Sequence, residues 1–315
     1  MPAQQKNGPS GPGAPIRTRG GRDDIIHQTL ACASATPPHG HARGACLPAQ
    51  RRRAMIYDLC GQTDTGITRK NNEDALAFDA ATGLCILADG MGGYNAGEIA
   101  SAMAVAFLKS EMNHWLSQGG RQATGREVRR ALEICVENAN HSIFNAANAN
   151  AEFAGMGTTL VVGVFLDGRL LLGHVGDSRC YRLRGQTLQQ ITKDHSLIQE
   201  QLDAGLITAE QAFNSLNRNL VTRALGIEDM TLVEVNEHRV EVGDLYLMCS
   251  DGLSDMLTDE GIAEIVRGAG TLAHKAGQLI DAANEAGGRD NISVLLAHAK
   301  EDPSRRGLLS RILGK

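Results

Sequence analysis

Apolar and polar positions along the chain change period several times, and each change marks an element. Gly83-Leu84-Cys85-Ile86-Leu87-Ala88 and Leu245-Tyr246-Leu247-Met248-Cys249-Ser250 are short, nearly unbroken apolar runs, the pattern of a buried strand. Each runs into Asp-Gly, at Asp89-Gly90 and Asp251-Gly252. Each predicted strand therefore delivers a carboxylate to a sheet edge, beside a glycine that permits close backbone approach. Thr158–Leu166, Asp167-Gly168 and Arg169–Val175 predict a strand, a tight turn and a strand; Tyr181–Arg184, Gly185-Gln186 and Thr187–Ile191 repeat the arrangement. Further strands are expected at Leu232–Val235 and Ile292–Ala297.

Helical periodicity appears between these runs. Asn95 followed by Glu98 reads as a helix cap, with Ile99, Met103, Ala106 and Phe107 on one apolar face. Other helices are predicted at Arg126 to Ala147 and Leu272–Ala286, and the polar stretch from Ser196 to about Leu225 reads as a lid. Hairpins interleaved with helices favour an α+β sandwich over a parallel doubly wound sheet.

Proline sets the expected boundaries. Seven of the eight prolines fall within residues 1–48 and the eighth is Pro303, so residues 55–302 read as one domain. Residues 1–54 read as a disordered Pro/Gly/Arg-rich extension. Met55 stands immediately before the first strand, which leaves two readings: translation beginning there, or a basic arm that docks a partner. Residues 303–315 carry Arg305, Arg306, Arg311 and Lys315 among leucines and no acid, a basic amphipathic tail.

Charge narrows the function classes. The extension holds eight Lys/Arg and two Asp/Glu, leaving 23 against 34 in the remainder, a net of −11. That surface repels nucleic acid and suits divalent cations. No apolar stretch approaches the roughly 20 residues of a membrane span. Seven scattered cysteines give no disulfide framework, which points to a cytoplasmic protein.

The chemistry lies in the acids that follow apolar runs or sit in glycine-rich turns: Asp89, Asp177, Asp251 with Asp255 one helical turn on, and Asp290 in Gly287-Gly288-Arg289-Asp290-Asn291. Crowded carboxylates repel, and a divalent cation removes that cost. An all-oxygen set selects Mg²⁺ or Mn²⁺ over zinc. Two such ions generate hydroxide from a bridging water near neutral pH and clamp a phosphoryl group for in-line attack. Arg69, in Arg69-Lys70-Asn71-Asn72-Glu73-Asp74, is the candidate guanidinium for the phosphate oxygens.

The ordered series Arg69-Lys70-Asn71-Asn72-Glu73-Asp74, Asp89-Gly90-Met91-Gly92-Gly93, Gly155-Met156-Gly157-Thr158-Thr159, Gly176-Asp177-Ser178-Arg179, Thr192-Lys193-Asp194-His195, Thr222-Arg223-Ala224-Leu225-Gly226, Ser250-Asp251-Gly252-Leu253-Ser254-Asp255 and Asp290-Asn291-Ile292-Ser293 resembles the metal-dependent Ser/Thr protein phosphatases of the 2C type, bacterial branch. The resemblance spans roughly Tyr57 to His298. It implies a four-layer α-β-β-α sandwich of two antiparallel sheets flanked by helices, with a small flap at about 196–225. It implies that Asp89 bridges two Mn²⁺ or Mg²⁺ ions, with the Gly90 carbonyl completing the first. Asp251 and Asp290 would hold the second ion, and Asp177 with Asp251 or Asp255 a third. Arg69 would bind the substrate phosphate, Glu73 and Asp74 would orient metal-bound water, and Asn291 would support them from behind.

The expected partners are phosphorylated proteins, either substrates of a Ser/Thr kinase or the kinase itself, met by a monomer. A pseudo-phosphatase that binds phosphoproteins without turnover is the alternative, and the complete acid set favours catalysis. One departure concerns the proton donor. Members of the family often carry a histidine directly after Asp-Gly or after Met-Gly-Gly, where this chain has Met91 and Tyr94. Metal-bound water, the Tyr94 hydroxyl, His195 and His174 are the candidates left.

Overall fold

In the computed structural model, residues 55–93, 96–213, 215 and 220–303 are described. The N-terminal extension, Tyr94, Asn95 and the tail after Pro303 lie outside them. Among the described residues, eleven strands and seven α-helices follow one another in mixed order. Strands β1 (Met55–Asp64), β11 (Ile292–Glu301), β10 (Leu245–Cys249), β7 (Arg179–Arg184) and β8 (Thr187–Gln190) form one antiparallel sheet in that spatial order. Strands β2 (Asp74–Asp79), β3 (Leu84–Met91), β5 (Leu160–Leu166), β6 (Arg169–Val175) and β9 (Glu234–Arg239) form the other, with the short β4 (Gly157–Thr158) paired to the end of β3.

Strand alternation sorts the side chains into three apolar layers. Cys85, Leu87, Val161 and Leu170 face Cys180, Tyr246, Met248 and Leu295 between the sheets. On the outer face of one sheet, Leu84, Ile86, Val162 and Val164 meet helices α1 (Ala96–Ser117) and α2 (Gly125–Ala149). On the other, Tyr181, Leu247, Val294 and Leu296 meet α6 (Asp259–Arg267) and α7 (Leu272–Glu285). This is the expected α-β-β-α sandwich. Thr124 starts α2 with a capping box: its hydroxyl accepts the Glu127 N–H while the Glu127 carboxylate accepts the Thr124 N–H. Among the described residues no helix is long and apolar enough to cross a membrane.

Several elements differ from the periodicity reading, among them β2, where the pattern predicts no strand. The strand expected at Leu232–Val235 runs instead from Glu234 to Arg239, with Leu232 largely exposed. It is an edge strand whose register sets Val235 opposite Gly173, so one buried valine anchors an otherwise polar run. Helix α6 was not expected. Its signal is nonetheless present, with Thr258 capping the Gly261 N–H before an apolar stripe at Ile262, Ala263 and Val266.

Antiparallel registry decides where strand ends meet. Leu87 of β3 pairs with Val161 of β5, and Leu160 with Val175 at the end of β6. Across the sandwich, Cys249 at the end of β10 pairs with Val294 near the start of β11. Asp89, Asp177, Asp251 and Asp290 are thereby delivered to one end of the two sheets. The described residues of the segment 196–225 include short helices α3 (Leu197–Asp203) and α4 (Ala209–Phe213), and helix α5 (Asp251–Ser254) starts at the edge of that end. Beyond the segment, the fully buried Asn140 of α2 donates to the carbonyls of Glu228 and Asp229 and accepts from the Gly226 N–H. Asn140→Ala should therefore cost about 1–3 kcal/mol in chemical denaturation, the buried Gly226 amide losing its acceptor and two loop carbonyls their donor.

Candidate active site

Asp89, Asp177, Asp251 and Asp290 line one cavity of about 270 Å³ together with Arg69, Glu73, Gly90, Met91, Gly92, Thr159 and Val221. Residues more than 220 positions apart in sequence share it, and all sit on strand ends or on loops stitched to them. The Gly90 amide donates to the Glu73 carbonyl. A Cβ on Gly90 would lie 2.2 Å from the Gly97 carbonyl oxygen, so only glycine lets α1 close on the end of β3. Asp255 is not among the cavity-lining residues, yet its charge acts on both Asp177 and Asp251.

The carboxylates repel one another in a poorly solvated place. Burial, reinforced by Asp74, Asp251, Asp177 and Asp290, holds the Asp89 carboxyl well above the usual range. Burial, reinforced by Asp177, Asp290 and Asp255, does the same to Asp251. Burial pushes Asp177 up to about 6, helped by Asp194. Asp74 stands directly opposite Asp89 in the β2–β3 register. Burial raises it to about 6 against the hydroxyls of Ser293 and Ser250, which favour its ionised form. The Glu73 carboxyl is likewise raised, chiefly by burial. Two buried oxygens, Oδ1 of Asp251 and Oδ1 of Asp74, have no hydrogen-bond partner. Four converging carboxylates, an orphaned carboxylate oxygen and a glycine carbonyl at the end of β3 fit hard divalent cations.

Arg69 lines the cavity on the Asp290 side. Its Nη2 donates to Asp290 Oδ2 at 2.7 Å, and its side chain is 49% exposed. Asn291 ties its loop to the Asp290 loop: its side-chain amide donates to the carbonyls of Thr65 and Asn71 and accepts from the Glu73 N–H. The amides of Ile67 and Thr68 both donate to the Gly288 carbonyl. Arg69, Glu73, Asp290 and Asn291 thus form one rigid corner.

The hydroxyls were not singled out from sequence. Thr159 Oγ1 accepts from the Asp89 N–H and pairs with Ser178 Oγ at 2.8 Å, joining the turn after Asp177 to the end of β3. Ser250 donates to Asp74 Oδ2 at 2.8 Å. Their signal was position alone, a hydroxyl next to an Asp-bearing strand end. Of the proton-donor candidates, His195 is removed. Its Nδ1 accepts the Gly176 N–H at 3.1 Å, and burial, with His174 and Arg223 adding to it, lowers its pKa to about 4. It is a neutral imidazole near pH 7. His174 is 2% exposed and spends Nε2 on the Lys193 carbonyl.

A carboxyl held above its unfolded value of 3.8 keeps protons that the unfolded chain has released, so its destabilising effect grows with pH above about 4. In chelator, Asp89→Asn should therefore melt higher than the parent at pH 7, on the order of 5 °C. The gain should shrink as pH falls to 5. His195, His238 and His298, whose lowered pKa values act in the opposite direction, cancel in that difference. Differential scanning calorimetry of the two proteins across this range measures it.

Comparison with known proteins identifies relatives of the sequence and of the fold. A sequence profile described as Protein phosphatase 2C matches residues 67–284. The Serine/threonine phosphatase stp of Listeria monocytogenes is 36% identical over 249 residues, 78% of this chain and 96% of that protein. The Serine/threonine protein phosphatase PstP of Mycobacterium tuberculosis is 38% identical over 247 residues, 78% of this chain and 46% of that longer protein. A crystal structure of the PstP catalytic domain in complex with two manganese ions superposes with a TM-score of 0.69 at 36% identity, covering 78% of this chain and 99% of that one. A profile over residues 67–284 and relatives of this identity and coverage place the chain in one family, and it belongs to the protein phosphatase 2C family.

Proposed function

We propose that this chain is a metal-dependent phosphoprotein phosphatase that hydrolyses phosphoserine and phosphothreonine monoesters. The observation that carries the proposal is the convergence of Asp89, Asp177, Asp251 and Asp290 on one cavity that the half-exposed guanidinium of Arg69 also lines. In this reading Asp89 and the Gly90 carbonyl hold one Mn²⁺ or Mg²⁺ ion, Asp89, Asp251 and Asp290 a second, and Asp177 with Asp251 or Asp255 a third. When bound, such ions supply a nucleophile from water at neutral pH and neutralise the phosphoryl oxygens.

The chain's own residues supply position. Arg69 binds the phosphate with the donors that Asp290 leaves free, and the shared corner with Asn291 fixes its distance from the carboxylates. Glu73 and Asp74, held by Asn291 and Ser250, orient water from behind the cluster. Val221 closes one wall. The physiological partners in this reading are phosphoproteins made by a Ser/Thr kinase, or the kinase itself, met by a monomer. The free cysteines at 60, 85, 135, 180 and 249 suit the cytoplasm.

Hydrolysis of a phosphothreonine peptide should require added Mn²⁺ or Mg²⁺, and turnover that survives exhaustive chelation would sink the proposal. Asp251→Asn should lose more than about 100-fold in kcat, whereas near-parental turnover would mean the ligands are misassigned. Arg69→Ala should raise KM and the inhibition constant of inorganic phosphate together by about 10–100-fold, the loss of a charge-assisted contact. Arg69→Lys should recover only part of it, because an ammonium lacks the planar fork.

A further inference from the structure

His174, His195 and Glu234 form a cluster behind the cavity, outside the chemistry assigned above. One potential ligand atom from each lies within 4.8 Å of the others, the spacing of a metal site. The rings argue otherwise. His174 and His195 stack face to face, with centroids 4.7 Å apart and planes 10° from parallel. An imidazole binds a metal in its ring plane, and one ion cannot lie in two separated parallel planes. Protonation points the same way. The His195 lone pair at Nδ1 is taken by the Gly176 N–H, so the neutral ring carries its hydrogen on Nε2. That atom is buried without a hydrogen-bond partner and stands 3.7 Å from the Glu234 carboxylate.

What the cluster touches is more informative. Gly176 adopts φ +101°, and a Cβ there would meet the Thr159 side chain at 2.7 Å, so the turn that aims Asp177 is held from outside rather than by its own side chain. His195 grips that turn twice, its N–H donating to the Gly176 carbonyl at 2.9 Å and its Nδ1 accepting the Gly176 N–H at 3.1 Å. The carbonyl of the same residue accepts from Thr222, the far end of the 196–222 segment, at 2.8 Å. The next rung, Ser196 with Val221, closes the base of that segment, and Val221 lines the cavity. His174 fixes the plane of the gripping ring by stacking on it, and is itself pinned by its bond to Lys193.

We infer that His195, braced by His174, is a positioning residue that sets the Asp177 carboxylate and the base of the 196–222 segment as one unit. The inference rests on the reading of Asp177 as a ligand in the proposed function. It assigns the imidazole a purely geometric part, as an acceptor for one amide and a plate for one ring. Arg223 and Glu234, the charged groups that act on His195, sit around the joint without replacing either contact.

Two substitutions separate the acceptor from the ring. His195→Phe keeps the stacked plate and loses the acceptor for Gly176. His195→Asn loses the ring and keeps an oxygen where Nδ1 was. In the full chain, Mn²⁺ binding followed by electron paramagnetic resonance should show the weakest-binding ion loosened about 10-fold in His195→Phe and largely restored in His195→Asn, as for other groups that orient a metal ligand. Adding His195→Phe to Asp177→Asn should change that isotherm no further. The Mn²⁺ requirement for phosphopeptide turnover should shift in parallel, with KM for phosphopeptide moving less than kcat. Equal Mn²⁺ isotherms for parent, Phe and Asn proteins, with both variants merely melting lower, would reduce His195 to a core residue and overturn the inference. An unchanged isotherm in Asp177→Asn would remove the ligand on which it depends and overturn it too. A parent that binds Mn²⁺ but hydrolyses no phosphopeptide would count against the proposed activity alone, because the binding comparison still decides the role of His195.

Discussion

The mutual repulsion of carboxylates held in poorly solvated surroundings is the constraint on which the rest of this protein depends. Burial and neighbouring acids raise Asp74, Asp89, Asp177 and Asp251 together. A fold spends stability to hold like charges so close, and it can do so only with a large, well-packed remainder. Three continuous apolar layers on either side of and between two sheets supply that remainder. Arg69 answers Asp290 from within the chain; in the proposed function the remaining counter-charge is a hard cation, which an all-oxygen ligand set suits.

Strands suit this task because their ends are rigid and their registry is discrete. A one-residue slip would turn each aspartate to the opposite face, so the pairing of Asp74 with Asp89 and of Cys249 with Val294 is part of the site's geometry. Hydroxyls then lock what the backbone has aimed. Thr159 ties the Asp89 amide to Ser178, and Ser250 holds Asp74. Neither brings charge into the cluster, which explains why short alcohols rather than lysines stand closest to it.

Much of this was legible in the chain. Apolar runs ending in Asp-Gly are strong signals because burial on both faces and a carboxylate at the exit are both written locally. Hairpins at Asp167-Gly168 and Gly185-Gln186 were legible for the same reason. The edge strand Glu234–Arg239 was misread because one buried valine among polar residues carries too little periodicity, and its pairing with Gly173 is a tertiary fact. The part of His195 was equally hidden. A histidine in a polar loop gives no hint that both its backbone groups and one ring nitrogen are committed to Gly176 and Thr222.

Arg69 illustrates how the same constraint shapes substrate binding. A lone guanidinium in a surface loop would swing freely and lose rotamer entropy on meeting a phosphate. Here one of its donors is already spent on Asp290, and the loop that carries it is sewn to the Asp290 loop by Asn291 and by the amides of Ile67 and Thr68. A Cβ on Gly66 would lie 2.2 Å from the Asp290 carbonyl oxygen, so the two loops are in backbone contact there. In the proposed function, the separation between Arg69 as phosphate binder and Asp290 as cation ligand is therefore fixed before substrate arrives. Preorganisation of this kind favours a bound phosphoryl group already aligned with the carboxylate cluster. The strand register contributes as well: the loop that carries the arginine leaves β1 at Asp64, which pairs with Ile292 at the start of β11, two residues from Asp290.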